Sequence, residues 1–154
     1  MHNKLSNWLI VLGATLGCSI FAQQRADIEV TRASIQAKRT VIIKQAIDLT
    51  DEEEPAFWSL YRQYRAEMAT TEDFETKLLL ALDDAGYILA DQEAARLLNE
   101  SVKLDRMRLG IVRKYIKKFR SILPASKVAR FFHLEAKMDA IVDYEIATQV
   151  PLVE

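Results

Sequence analysis

The chain has 154 residues, half of them hydrophobic and 28% charged, with only four Gly and three Pro. That balance excludes a disordered polymer and a turn-rich β fold, and the length fits one domain with a real core. The formal net charge of −1 hides a strong segregation of charge along the chain.

The chain opens MHNKLSNWLIVLGATLGCSIFAQQ. A short polar start carries Lys4 and no acid, and an apolar run follows from Trp8 to Ala22. That is the layout of a secretory signal peptide. The run is 15 residues long, short of the roughly 20 that a spanning helix needs. Cleavage is expected after Ala22, which leaves residues 23–154 as a single exported helical domain. Two alternatives stay open. One is an uncleaved anchor. The other is lipidation of Cys18, in TLGCS, where Thr15 stands at the place usually held by Leu. Cleavage after Ala22 removes the chain's one cysteine, which fits an oxidising compartment where no free thiol is kept.

Residues 26–47 read as a first helix, with Ile28, Ile35, Ile42 and Ala46 at helical spacing and Arg32 and Arg39 beside them. The next helix starts in LTDEE, Leu49 to Glu53. Thr50 and Glu53 have the spacing of a capping box, and further acids in the first turn suit the helix dipole. Pro55 calls for a local distortion or a start shifted toward it. This helix runs to about Asp84, and Gly86 marks the break. A third helix opens at LADQE with Asp91 as its expected cap, and runs to about Ile122. LPASK, Leu123 to Lys127, starts the last helix, which ends near Thr148. The fold class is therefore all-α: four helices as elongated antiparallel hairpins. Helices this long favour an elongated shape whose apolar faces call for a second copy, so a homodimer is expected.

The segment EPAFWSLYRQYRAEM, Glu54 to Met68, is dense in aromatic residues. On a helical wheel Phe57, Leu60, Tyr61, Tyr64 and Met68 form one stripe about 100° wide, which reads as core. Trp58 lies off that stripe, near Arg62 and Arg65. A Trp flanked by Arg is the rim of a wide core, the centre of a dimer contact or part of a binding surface.

Charge is the second candidate feature. Residues 51–84 carry ten acids and three bases, whereas residues 96–130 carry eleven bases and two acids. RKYIKKFR, Arg113 to Arg120, interleaves bases with aromatic residues. In a cytosolic chain this pattern would raise nucleic acid, but export argues against that partner. The bland alternative is a solvated face balancing the acidic second helix. The functional one is a positive surface with apolar strips, drawing in acidic or partly unfolded polypeptides or anionic lipid headgroups. The candidate binding residues are Trp58, Arg62, Arg65, Arg113, Tyr115, Lys117, Lys118 and Phe119.

Within the apolar stripes lie Arg108 on the third helix and Glu135 and Asp139 on the last. Arg108 and Asp139 are nearly equidistant from the turn at Leu123. A partly buried pair of Arg108 with Asp139 or Glu135 is expected, with a role in register rather than catalysis. His133 falls on the polar face, and one His is weak ground for a metal site. There is no Gly-rich phosphate loop, nucleophile elbow, HExxH or Cys pair. No metal, cofactor or enzymatic activity is expected.

The apolar leader, the long helices and the helix starts LTDEE and LPASK resemble the Spy/CpxP family of periplasmic proteins, whose members carry LTxxQ motifs. Glu53 stands in place of the Gln in the first motif. The second keeps Leu123 alone, with Pro124 and Lys127 where Thr and Gln would fall. The chain is also similar to a group of small exported helical proteins with an FWxLYxxY segment and a basic helix ending KKFRxxLP. The Spy/CpxP resemblance implies an all-helical, cradle-shaped dimer. It implies ATP-independent chaperoning, or the sensing of envelope stress or metal through a membrane signalling partner. Metal-responsive members use clustered histidines, which this chain lacks.

Overall fold

The structure is a computed structural model and describes residue 30, residues 33–148 and residue 150. The expected signal segment 1–22, Cys18, Ile28 and Arg32 lie outside the described residues. The described chain is all helical: α1 over residues 33–46, α2 over Glu54–Asp84, α3 over Asp91–Arg120 and α4 over Ala125–Ala147.

Each boundary has a local cause. At the start of α2 the backbone N–H of Thr50 donates to Glu53 Oε2 at 2.9 Å, and that of Glu53 donates to Thr50 Oγ1 at 3.3 Å. The expected capping box thus forms. It sits on a single turn before the regular helix, which begins at Glu54 because Pro55 fits only the first helical positions. α2 ends where Gly86 and Tyr87 adopt φ of 63° and 61°, a left-handed backbone that stops a helix and that Gly adopts without steric cost. Asp91 is not the cap of α3. Ala90, with extended backbone, holds that place, and Asp91 is the first helical residue, where its charge still suits the dipole. α4 follows Pro124, again where a missing N–H costs nothing.

The order of contacts gives the topology. Along α2, Glu67, Phe74 and Glu75 meet Lys114, Lys103 and Arg108 of α3, so the two helices run antiparallel. α1 runs antiparallel to α2, with Gln36 near Glu72 and Lys44 near Glu54. Phe119 near the end of α3 packs on Phe131 and Phe132 near the start of α4. The core gathers where the start of α2, the end of α3, the start of α4 and the end of α1 meet. Its centre is Ile43, Phe57, Tyr64, Tyr115, Phe119 and Phe131, all at or below 1% exposure. Toward the α2–α3 turn, burial thins to Leu97 and Leu104 on α3.

Candidate functional site: a basic helix face beside a buried charge cluster

The aromatic segment of α2 is core. Phe57 stands 5.4 Å from Phe119 and 5.3 Å from Phe131, ring centre to ring centre, and Tyr64 lies 5.3 Å from Tyr115. Trp58 is half-buried at the rim and meets Phe57 and Tyr61 edge-on at 5.0 and 5.6 Å. Such edge-to-face geometry adds to the burial term. Burial also lifts the Tyr61 and Tyr64 hydroxyls above the ordinary range, with the nearby Glu135 carboxylate adding to it.

Tyr115 and Phe119 cannot serve as an exposed docking surface, because both are fully buried. They belong to the inward face of α3, with Leu97 and Leu104. The aromatic residues interleaved in RKYIKKFR therefore point into the core while the bases between them point out. Tyr115 donates its hydroxyl to Glu67 at 2.7 Å, and Lys114 reaches the same carboxylate at 2.6 Å. Removal from water, then the Glu67 bond, push the Tyr115 hydroxyl up to about 12. Lys114 and then Tyr115 hold Glu67 below the usual carboxylate range.

The candidate binding residues do not form one patch. Glu67, which meets α3, and Arg65, which meets Glu135 of α4, point about 160° apart around α2. Trp58 and Arg62 lie on the Arg65 side of that wheel. Arg65 itself is 12% exposed and bridges Glu72 and Glu135, so it is committed to the structure. Arg62 is exposed. On α3, Arg106, Arg113, Lys117 and Arg120 are exposed and form no ion pair among the described residues. Lys118 is half-buried, its ammonium 4.7 Å from the Tyr115 ring centre.

The buried ion pair exists, but its cation is not Arg108. Arg108 turns to α2 and meets Glu75 at 2.9 Å, continuing the seam that Lys114 and Glu67 begin. Arg39 of α1 takes the expected place. Its side chain is 3% exposed, donating to Glu135 at 3.0 Å and also to Asp139. With Arg65 on Glu135 at 3.4 Å, three helices are tied through one carboxylate. The signal for Arg39 was present in the sequence: it stands three, four and seven residues from Ile42, Ile35 and Ala46, on the same face.

The cluster is incompletely satisfied within the protein. Arg39 Nε, Arg65 Nε and Glu135 Oε1 are buried and meet no hydrogen-bond partner. Burial outweighs the pull of Arg39 and Arg65 and holds the Glu135 carboxyl above its usual range. Arg39 is raised despite its burial, through Glu135 and Asp139. Beside the cluster lies a cavity of about 300 Å³, whose lining includes Ile35, Met68, Val112 and Val142 together with Arg39, Glu72 and Asp139. His133 is exposed. No group of three or more His, Cys, Asp or Glu suited to hold a metal occurs among the described residues. Among them, too, no helix is long and apolar enough to cross a membrane.

No protein-family model, no curated protein and no solved structure matches the chain.

Proposed function

We propose that this is an exported, periplasmic binding protein of Spy/CpxP type that holds acidic or partly unfolded polypeptides weakly, without ATP and without chemistry. The observation that carries the reading is the outer face of α3 in its second half. Residues 106–120 contain seven bases and no acid, and Arg106, Arg113, Lys117 and Arg120 are exposed without an ion-pair partner among the described residues. A rigid helix carrying such a field raises the local concentration of polyanionic segments and speeds their encounter. The apolar contribution comes from the exposed aliphatic residues of the same helix, Leu98, Val102 and Leu109, since Tyr115 and Phe119 are buried. Trp58 with Arg62 offers a second, separate contact on α2. The protein acts as a homodimer in this reading.

The test is an aggregation assay. The exported chain is mixed with a chemically unfolded, unrelated protein at low and high salt without ATP. Suppression that weakens as salt rises is the expected result. No suppression at molar excess overturns the reading and moves it to a dedicated contact with a membrane signalling protein.

A further inference from the structure

The cavity beside the Arg39 cluster draws its lining from all four helices. Its apolar lining is aliphatic throughout: Ile35 of α1, Met68 of α2, Val112 of α3, and Ala136, Ala140 and Val142 of α4. No aromatic ring is among the lining residues. At about 300 Å³ it has room for roughly ten groups of water or methylene size. An apolar cavity with a few convergent polar groups is the common form of a small-molecule site.

Charge selects the kind of molecule. The ionisable residues of the lining are Glu72, Glu75, Asp139 and Asp143 against Arg39 and Arg108, four acids to two bases. Both arginines are committed within the chain. Arg39 bridges Glu135 and Asp139, and Arg108 meets Glu75. An anion entering here meets a surplus of negative charge and finds both guanidinium groups taken. Carboxylates keep more capacity, since each offers about four lone-pair sites. Glu72 and Asp139 hold Arg65 and Arg39 yet reach water, at 27% and 35% exposure, whereas Met68 is buried. The lining thus joins buried aliphatic surface to acceptors that water can reach. That suits a molecule with a short hydrocarbon chain and a cationic head. An ammonium carries three donors and no acceptor, which matches a set of carboxylates. A quaternary ammonium, which has no N–H and is held by aromatic faces, finds no ring here.

We propose that this cavity binds a small aliphatic primary amine. Its chain lies against Ile35, Met68, Val112 and Val142, and its ammonium sits among Glu72, Asp139 and Asp143. The site does not rest on the proposed function. The exposed bases of α3 draw in polyanionic chains, whereas this cavity takes a cation of a different class. Because the lining joins α1 and α4 to the α2–α3 pair, an occupant stabilises the folded chain.

The experiment titrates the full chain with n-hexylamine at neutral pH and constant ionic strength, read by methyl NMR and by Tm. Saturable shifts of the Ile35, Met68, Val112 and Val142 methyls are expected, with a dissociation constant on the order of 1 mM for a ligand this small. Tm is expected to rise over the same range. Hexanoate, hexan-1-ol and methylamine, which lack the charge sign, the charge or the chain, are expected to bind at least about fivefold more weakly. Asp143→Lys, at an exposed site, raises the dissociation constant by about fivefold or more. Asp91→Lys makes the same change of net charge roughly 25 Å along α3 from Arg108 and leaves binding as in the parent. Far-UV circular dichroism confirms that both variants are folded. No saturable shift up to about 20 mM overturns the proposal. Equal binding of hexan-1-ol, tighter binding of hexanoate, or an unchanged constant in Asp143→Lys does so too. A lysine blocked at both backbone ends is the last probe. Binding as tight as that of hexylamine would overturn the free amine and give the site to a polypeptide side chain. Amine binding and suppression of client aggregation are separate readouts, so either claim can fail while the other stands.

Discussion

Glu53 and Lys127 pair at 2.6 Å, Oε2 to Nζ, and each is the fifth residue of a helix-start motif, LTDEE and LPASK. The pair ties the cap of α2 to the first turn of α4, at the aromatic end of the molecule. The same carboxylate oxygen also accepts the Thr50 N–H, so Glu53 closes a cap and an inter-helix bridge together.

This makes Glu53→Ala more damaging than Lys127→Met, because only the former removes the cap. The measurement is the Tm of each variant. Lys127 and the Thr50 bond hold the Glu53 carboxyl below its ordinary value of 4.5. A lowered folded pKa gives stability that is present above the unfolded value and is lost as pH falls through the folded one. The Tm gap between the parent and Glu53→Gln is therefore expected to narrow on acidification below about pH 4.5.

Arg39 decides whether α1 stays seated. Arg39→Ala removes the guanidinium shared by Glu135 and Asp139, and denaturant unfolding is expected to show a loss of about 3–5 kcal/mol. The pair Arg39→Met with Glu135→Leu recovers much of that loss, since matched apolar residues avoid the desolvation of buried charge. Arg108→Ala costs less, because Arg108 and Glu75 are more exposed than Arg39 and Glu135. Equal losses for Arg39→Ala and Arg108→Ala would contradict this ranking.

Glu135 has the opposite pH sense from Glu53. Its carboxyl is held above the ordinary 4.5 by burial, so between the two values the folded chain keeps a proton that the unfolded chain releases. Its contribution is fully present below the unfolded value and is lost as pH rises through the folded one. Parent and Glu135→Gln, followed by urea unfolding from about pH 4 to about pH 8, are expected to show the parent's relative stability falling as pH rises.

The aromatic centre is the most fully buried part of the core. Phe131, at 0% exposure, touches Phe57, Phe119 and Phe132 within 5.3 Å, and Phe131→Ala is expected to cost about 3–5 kcal/mol. Phe119→Ala behaves alike, so its effect on client holding reads out folding and not contact. Lys117→Glu with Arg113→Glu is the informative change. Both sites are exposed, so the unfolding free energy stays within about 0.5 kcal/mol of the parent, while the proposed function requires low-salt client suppression to fall.

The sequence by itself determined the helices and most of their ends, though Ala90 and not Asp91 caps α3. Thr50 with Glu53 wrote the cap, Gly86 the left-handed break and Pro124 the start of α4, because these signals act within one turn and need no partner. The stripe through Phe57, Tyr61, Tyr64 and Met68 was likewise legible, since a single helix's period fixes which residues share a face. Which face meets which helix was decided by tertiary structure. Tyr115 and Phe119 read equally well as surface or core among five surrounding bases, and the packing of Phe57 and Phe131 against Phe119 settled them as core. Glu135 and Asp139 announced a buried cation, yet two arginines stood in register for it. The α2–α3 seam gave Arg108 to Glu75, and Arg39 on α1 took the carboxylates. Periodicity tells where a side chain points from its own axis. Only the mutual rotation of packed helices, set by how large side chains interlock, tells what it meets there.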